Sequence, residues 1–299
     1  MRVVANTVSE NFIRQIQQLG SQQAKLQNQV ATGRRLTQPE DDPAAVGRVI
    51  NLQGQQRALE QFARNANRAL DLSKASFSGL NEIKKLSDRA TEIGTLGSGA
   101  ISPEARTAYA SELNQLIEQA VQLANSRHGN DYLYAGTAVD QPPFVATRNP
   151  ATGDVTSVTY QGNAQAAPIA LSETASVSPG TSGATNASLG DFVNELVALR
   201  DALRANDSAA LTTAQSSLLT TEDDLVSALS EHGAVQLRIE ANQSQQAALG
   251  ENLTGLISAE TDTDLPSTIV KLNQSQTAYQ AALQSAATIM RTSLLDYIK

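Results

Sequence analysis

Cysteine and tryptophan are both absent from this chain of 299 residues, and aromatic side chains make up only 4% of it. Without cysteine the chain has no disulfide, no thiolate metal site and no cysteine nucleophile. With so few large aromatics, the composition favours thin helix packing built on Ala and Leu over a thick globular core. Basic residues are also in the minority, 22 against 30 acidic ones, and the net charge of −8 argues against a nucleic-acid partner.

Long apolar runs are missing as well. No stretch is long and apolar enough to predict a membrane span. The opening segment "MRVVANTVSENFIRQIQQLG" lacks the apolar stretch and the small-residue cleavage site of a secretory signal. We therefore expect the protein either to stay in the cytoplasm or to leave the cell by a route that leaves its N-terminus uncut.

Both ends of the chain carry apolar residues at alternating spacings of four and three, the pattern of a coiled-coil seam. The first seam consists of Phe12, Ile16, Leu19, Leu26 and Val30. Between Leu19 and Leu26, the polar residue Gln23 takes the position where the repeat calls for an apolar one. In the second seam, Gln276 takes the corresponding position among Leu265, Ile269, Leu272, Tyr279, Leu283, Met290, Leu294 and Leu295. A lone amphipathic helix cannot bury its stripe, so we expect these terminal seams to be an assembly interface, packed on each other or on neighbouring chains. The alternative is a surface helix lying on the chain's own core.

Longer helical segments follow the first seam. Apolar residues at threes and fours predict a helix over residues 44–93, which "GTLGSGAIS" then interrupts. A second helix is predicted to begin with Ser102 as N-cap and Pro103 at the first helical position, and to end near His128.

The middle of the chain has a different character. Alternation over Val155 to Tyr160, with turn signals such as "NPATGD" and "SPG", predicts a small β-rich insert. Helices are predicted to resume with Ser188 as N-cap and to continue over residues 208–258. The predicted fold is mainly α, an elongated helical bundle or coiled coil built from both termini around that insert. The predicted domains are a terminal coiled coil (1–38 and 263–299), a helical rod (39–134 and 188–262) and the β-rich insert (135–187).

The sequence offers little catalytic chemistry. The two histidines, His128 and His232, lack partners at metal-ligand spacing, and the phosphate-loop, dinucleotide and nucleophile-elbow motifs are absent. The carboxylates of "TDTD" at 261–264 lack the glycine and the closing glutamate of a calcium loop, so they favour a helix-capping joint. We expect the protein to have no enzymatic activity and to bind no metal and no cofactor.

The segment "GRRLTQPEDDPAAVG" is the most distinctive joint in the chain. Gly33 follows the first seam, and Pro39 and Pro43 prevent one continuous helix. Asp42 directly before Pro43 fits an N-cap followed by the first helical position. Asp41, together with Glu40, would place negative charge beside that helix start. This reading of the acidic residues is favoured over a metal site, because further ligands are missing nearby.

Three ordered segments then resemble the bacterial flagellin superfamily. They are "VATGRRLTQPEDDPAAVGR" after the first helix, "GNDYLYAGTAVDQPPF" at residues 129–144, and the tail "QTAYQAALQSAATIMRTSLLDYIK". The resemblance covers essentially the whole chain. Asp41-Asp42-Pro43 looks more like the hook–filament junction proteins of this superfamily than like flagellin.

This resemblance implies an axial structural protein of the flagellum. The terminal helices would form an inner coiled-coil domain that is disordered in the monomer, the longer helices an outer rod, and the insert would face outward. Implied partners are other copies of the chain in a helical or ring array, the first hook-associated junction protein, flagellin and an export chaperone, with no nucleic acid and no membrane insertion. Export through the flagellar type III apparatus, without a cleaved signal peptide, would place the protein in the extracellular flagellum.

Two other interpretations remain open. The chain could be flagellin itself, which shares the architecture but polymerises into the filament. It could also be a cytoplasmic helical adaptor, or an enzyme that uses the carboxylates of residues 40–42. The enzyme interpretation predicts that Asp41→Ala or Asp42→Ala abolishes an activity without harming assembly.

Overall fold

The structure is a computed structural model that describes the backbone of residues 2–298 and the side chains of residues 10–288. The helices are α1 (Arg2–Thr32), α2 (Pro43–Gly97), α3 (Pro103–Ala124), α4 (Gly183–Ala205), α5 (Ser208–Thr261) and α6 (Leu265–Ile298). The strands are β1 (Arg127–His128), β2 (Asp131–Tyr132), β3 (Phe144–Arg148), β4 (Val155–Tyr160), β5 (Ile169–Ala170) and β6 (Ser176–Val177). This order confirms the predicted fold class, a helical bundle with a small β insert in the middle. Within the described residues, no helix combines the length and the apolar character that crossing a membrane requires.

The predicted start of α3 is confirmed, but its predicted end is wrong. The Ser102 hydroxyl accepts the Ala105 N–H at 3.2 Å, and Pro103 opens the helix. The helix ends at Ala124 instead of near His128, because the Asn125 side chain exchanges two hydrogen bonds with the backbone of Phe144, at 2.9 and 3.0 Å. His128 lies in strand β1.

The predicted N-cap of α4 is wrong as well. Ser182 caps this helix by accepting the Thr185 N–H at 3.2 Å. Ser188 lies one and a half turns inside the helix. Its hydroxyl donates instead to Asp224 Oδ2 on α5 at 2.8 Å. The stretch "GATNA" between these serines lacks the apolar periodicity from which the helix start was predicted.

The chain packs as two compact units, one formed by residues 1–58 and 249–299 and the other by residues 59–248. Helices α2 and α5 each run through both units. The division into three domains stays a prediction.

The 59–248 unit contains the main core. Large apolar side chains of α2, α3 and α4 pack there with almost no exposure, among them Ile83, Leu113 and Phe192. Strands β3 and β4 form an antiparallel hairpin, which confirms the predicted alternation over Val155–Tyr160. In this hairpin the rings of Phe144 and Tyr160 lie 5.2 Å apart.

A buried tyrosine that follows strand β2 contacts α2. Tyr134 is fully buried, and its hydroxyl donates to the backbone carbonyl of Ser76 at 2.9 Å. A Cβ placed on Gly79 would lie 2.3 Å from that hydroxyl oxygen. The glycine is therefore what lets the Tyr134 ring approach the helix.

Candidate functional site

The candidate site is the pair of terminal helices α1 and α6 with the two joints that follow and precede them. Helix α1 runs toward its joint and α6 runs away from the other, and the two helices pack against each other as an antiparallel pair. At Gly20 this packing is close, because a Cβ there would meet the Tyr279 ring at 3.6 Å.

The two joints meet in a short antiparallel bridge between Arg34 and Asp262. The Arg35 N–H donates to the Thr261 carbonyl at 2.7 Å, and the Thr263 N–H donates to the Gly33 carbonyl at 2.9 Å. Gly33 has a left-handed φ of 68°, which ends α1 and turns the chain into this bridge. Sequence reasoning predicted both joints but missed that they pair with each other. The available signal was that each joint adjoins one of two complementary seams.

Asp42 caps α2, which begins at Pro43. Its Oδ1 accepts the Ala45 N–H at 3.0 Å. That hydrogen bond is the largest cause that holds the pKa of Asp42 below its ordinary value, with the Arg35 guanidinium adding to it. The cap satisfies one of the N–H groups that every helix start leaves open.

Asp41 was predicted to place negative charge beside the start of α2. In the structure its carboxylate binds the turn before that helix and a lysine of α1. Its Oδ2 accepts the N–H groups of Thr37 and Gln38, at 2.9 and 3.0 Å, while its Oδ1 pairs with Lys25 Nζ on α1 at 2.7 Å. The bond to Lys25 is the largest cause that lowers the pKa of Asp41. Asp41 therefore ties the turn that contains Pro39 back to α1.

The end of α5 is held by two arginines. Arg48 of α2 donates from Nε and Nη2 to the two carboxylate oxygens of Glu260, at 2.8 and 2.9 Å. Arg35 Nη2 donates to the Glu260 backbone carbonyl at 2.8 Å. The Arg48 hydrogen bond is the first cause that lowers the pKa of Glu260. These contacts fix the positions of the joints but are solvent-exposed, so they contribute little stability and weaken with salt.

The two terminal seams differ in burial. On α1 the predicted residues all lie on the packed face, with Leu26 buried and Phe12, Ile16, Leu19 and Val30 half-buried. On α6, Leu272 and Tyr279 are half-buried as expected. Met290, Leu294 and Leu295 lie outside the residues whose side chains the structure describes.

Three predicted seam residues of α6 instead face outward, among them Leu265, which is 41% exposed. Ile269 and Leu283 are each 44% exposed, and Val270 is 55% exposed. Over residues 265–288, the part of α6 whose side chains the structure describes, the buried positions are polar, Thr268 at 5% and Ser275 at 7% exposed. Of the two alternatives expected for the seams, packing on each other or on neighbouring chains, the exposure of Ile269 and Leu283 favours the second for these two residues. Helix α6 therefore turns Thr268 and Ser275 inward and several apolar residues outward, and this outward face is suited to contact with another molecule.

The described residues contain no group of three or more His, Asp or Glu side chains that could hold a metal ion. Asp41, Asp42 and Glu260 are instead used in a cap and in ion pairs. What this site can offer is contact surface and fixed geometry.

Comparisons with known proteins point to the same architecture. Residues 3–138 match the bacterial flagellin N-terminal helical region. The flagellar hook-associated protein 3 of Escherichia coli is 25% identical over the full length of both chains. The same-named protein of Salmonella typhimurium is 30% identical over 163 residues, which cover 54% of this chain and 51% of that protein.

A solved structure shares the fold. The structure of a putative flagellar hook-associated protein from Vibrio parahaemolyticus superposes with a TM-score of 0.66 at 15% identity, and the match covers 74% of this chain and all of that one. The N-terminal match, the full-length relative and this fold agree with the three sequence segments described above. The N-terminal part of the chain is thus similar to the bacterial flagellin N-terminal helical region, and over its full length the chain is similar to flagellar hook-associated protein 3 of Escherichia coli.

Proposed function

We propose that this protein is a structural subunit of the bacterial flagellum that forms the junction between hook and filament and provides the surface on which flagellin assembles. The observation that carries this proposal is the outward apolar face of α6, in a chain whose full-length relative is a hook-associated protein. The short bridge between the joints holds α1 and α6 together, so that face is presented by a defined helix pair.

Exposed apolar residues on a helix pair favour association. Removing apolar surface from water contributes about 25 cal/mol per Å², and Ile269, Val270 and Leu283 keep 44%, 55% and 44% of their surface exposed. A contact between two different patches of identical subunits repeats from one copy to the next and builds rings or helical arrays. Other copies of the chain are therefore the first partners that we propose for this face.

Further partners follow from the proposed position. The first hook-associated junction protein would lie below, flagellin above, and a cytoplasmic chaperone would hold the chain before export through the flagellar type III apparatus. The proposed location is the extracellular flagellum, and the role is architectural, with no reaction catalysed.

Deleting the gene in the source bacterium tests this function. We expect completed hooks without filaments, and flagellin secreted into the medium, because the junction on which flagellin assembles is missing. Filaments that still grow on those hooks would refute the junction role. A cell that secretes no flagellin at all would instead favour flagellin as the identity of this chain.

Complementing the deletion with variants tests the α6 face. The double variant Ile269→Asp with Leu283→Asp should fail to restore filaments, because it places charges in the proposed contact. The matched control is Val145→Asp on β3, where the residue is 42% exposed but lies in the insert. Equal loss in the control would show that any exposed charge disturbs the protein, and the α6 assignment would then be withdrawn.

A further inference from the structure

A groove of about 620 Å³ lies between α2 and α3 in the 59–248 unit. Leu86 and Leu123 supply its apolar surface, and Lys85 and Arg127 supply its cations. The Ser126 hydroxyl also lines it, shielded from water and without a hydrogen-bond partner in the part of the chain that the structure describes. Such a hydroxyl normally has a partner, so the groove is chemically incomplete.

One of the two cations is available for a partner. Lys85 Nζ already pairs with Glu82 Oε1 at 2.6 Å. The Arg127 guanidinium instead lies 4.1 Å from the centroid of the Tyr132 ring, and no described carboxylate pairs with it. The ring holds the guanidinium in place while leaving its N–H groups free to donate.

A complementary ridge lies on α5 of the same unit. Leu219, Asp223 and Val226 follow one another at spacings of four and three, so they share one face of the helix. Leu219 is 53% and Val226 is 45% exposed. The carboxylates on either side of Asp223 already have partners, since Glu222 pairs with Lys84 at 2.9 Å and Asp224 accepts from a serine hydroxyl. Asp223 has no ion-pair partner among the described side chains.

Ridge and groove match in length and in chemistry. Seven residues of helix separate Leu219 from Val226, a rise of about 10 Å, and the groove follows α3 and the turn after it over residues 119–126. The two apolar side chains of the ridge suit Leu86 and Leu123. The free carboxylate of Asp223 suits the free guanidinium of Arg127.

We infer that the α5 ridge of one copy docks into the α2/α3 groove of the next copy, with Asp223 paired to Arg127 across the contact. This inference rests on the proposed function, because the assembled junction is what places copies side by side. Since the two patches differ, the contact is heterologous and repeats around the array. It is distinct from the outward face of α6 in the other unit.

A charge exchange in the full-length chain tests the contact. The variants Arg127→Glu and Asp223→Arg are each expressed in the deletion strain. The fraction of hooks that bear filaments is then counted. We expect each single variant to lower that fraction, because like charges then face each other across the contact. The double variant should restore it, because the pair is re-formed with its signs reversed. A double variant no better than the worse single variant would overturn the inference, and so would single variants without effect.

The control is Glu240→Arg, which makes the same charge change at an exposed position of α5 away from the ridge. Its filament count should equal that of the unaltered chain, and an equal loss there would overturn the specific pairing. The melting temperature of each purified variant is measured as well, so that a loss of filaments is assigned to docking only where folding is intact. Immunolabelling at the hook tips separates the two proposals. A chain present at the tips with no effect of the charge variants contradicts only the contact, whereas filaments formed without the chain contradict the proposed function.

Discussion

The two units of this molecule place similar residues in opposite environments. In the 59–248 unit, Leu113, Tyr134 and Phe192 are fully buried. In the terminal helix pair, Thr268 and Ser275 are buried, while Ile269 and Leu283 are 44% exposed. The first unit builds a close-packed apolar core within one chain, although it also exposes Leu219 and Val226 on α5. The terminal pair buries fewer large apolar side chains and exposes several on α6, so its stability is expected to depend more on assembly.

The largest expected effect is the difference between the two units when a large apolar side chain is truncated. Phe192→Ala should lower the free energy of unfolding by about 3 to 5 kcal/mol, because it leaves a cavity in a close-packed core. Ile269→Ala should change it much less, by about 0.5 kcal/mol, because almost half of that residue's surface is already exposed to water. Urea denaturation of the purified monomers measures both. Equal losses would mean that the terminal face is packed in the free chain.

The contact between Gly79 and Tyr134 should give the next largest effect. Gly79→Ala places a methyl group against the Tyr134 hydroxyl, with an expected overpacking cost of about 1 to 3 kcal/mol. This cost is partly offset by about 1 kcal/mol from the better helix propensity of alanine. Tyr134→Phe alone should cost about 0.5 to 1.5 kcal/mol for the lost hydrogen bond. In the double variant the loss should be smaller than the sum, since the phenylalanine removes the atom that clashes. Strict additivity would contradict the close approach.

The buried histidine predicts a smaller effect that depends on pH. His232 is 4% exposed, its Nδ1 lies 3.3 Å from the Ser73 hydroxyl, and burial lowers its pKa. Below the ordinary histidine pKa the unfolded chain binds a proton that the folded chain resists, so stability should fall as the pH drops from about 7.5 toward 5. Above the ordinary pKa this contribution is fully present.

His232→Gln should make the urea midpoint less dependent on pH over that window. His128→Gln, which changes an exposed histidine in β1, is the control for the loss of a histidine elsewhere in the chain. An unchanged slope in His232→Gln would show that other groups set the pH dependence.

The smallest effect is expected at the helix caps. Ser102→Ala removes the cap of α3 and should cost about 1 kcal/mol. Asp42→Ala removes the corresponding cap of α2 at the exposed joint and should lower the melting temperature slightly, in the same direction. Neither substitution should abolish an activity. Loss of a catalytic activity in Asp42→Ala, with filaments still formed, would support the enzyme interpretation of the joint carboxylates.

Local patterns predicted much of this fold. The alternation over Val155–Tyr160, the Ser102 cap and the order of helices and insert depend on side chains close in sequence, and the structure bears them out. The ends of α3 and α4 depend on tertiary contacts instead. The Asn125 side chain closes α3 by binding Phe144, nineteen residues away, and no local pattern contains that partner.

The face of α6 was harder to predict for a different reason. The seam rule assigns the largest apolar residues to the inside, because it assumes that one chain buries all of them. Here the packed face carries Thr268 and Ser275, one residue away from the predicted seam positions Ile269 and Gln276. A shift of one residue turns a helix face by about 100°. Apolar periodicity identified the stripe, but it could not specify which molecule covers it.

Hydrogen exchange of residues 265–288 tests most directly whether the terminal pair completes its packing only on assembly. The amides are compared between the purified monomer and junctions isolated on hooks, with residues 103–124 of α3 as the internal reference. The account predicts rapid exchange of 265–288 in the monomer, strong protection in the junction, and protection of α3 in both. Equal protection of 265–288 in the two states would contradict it.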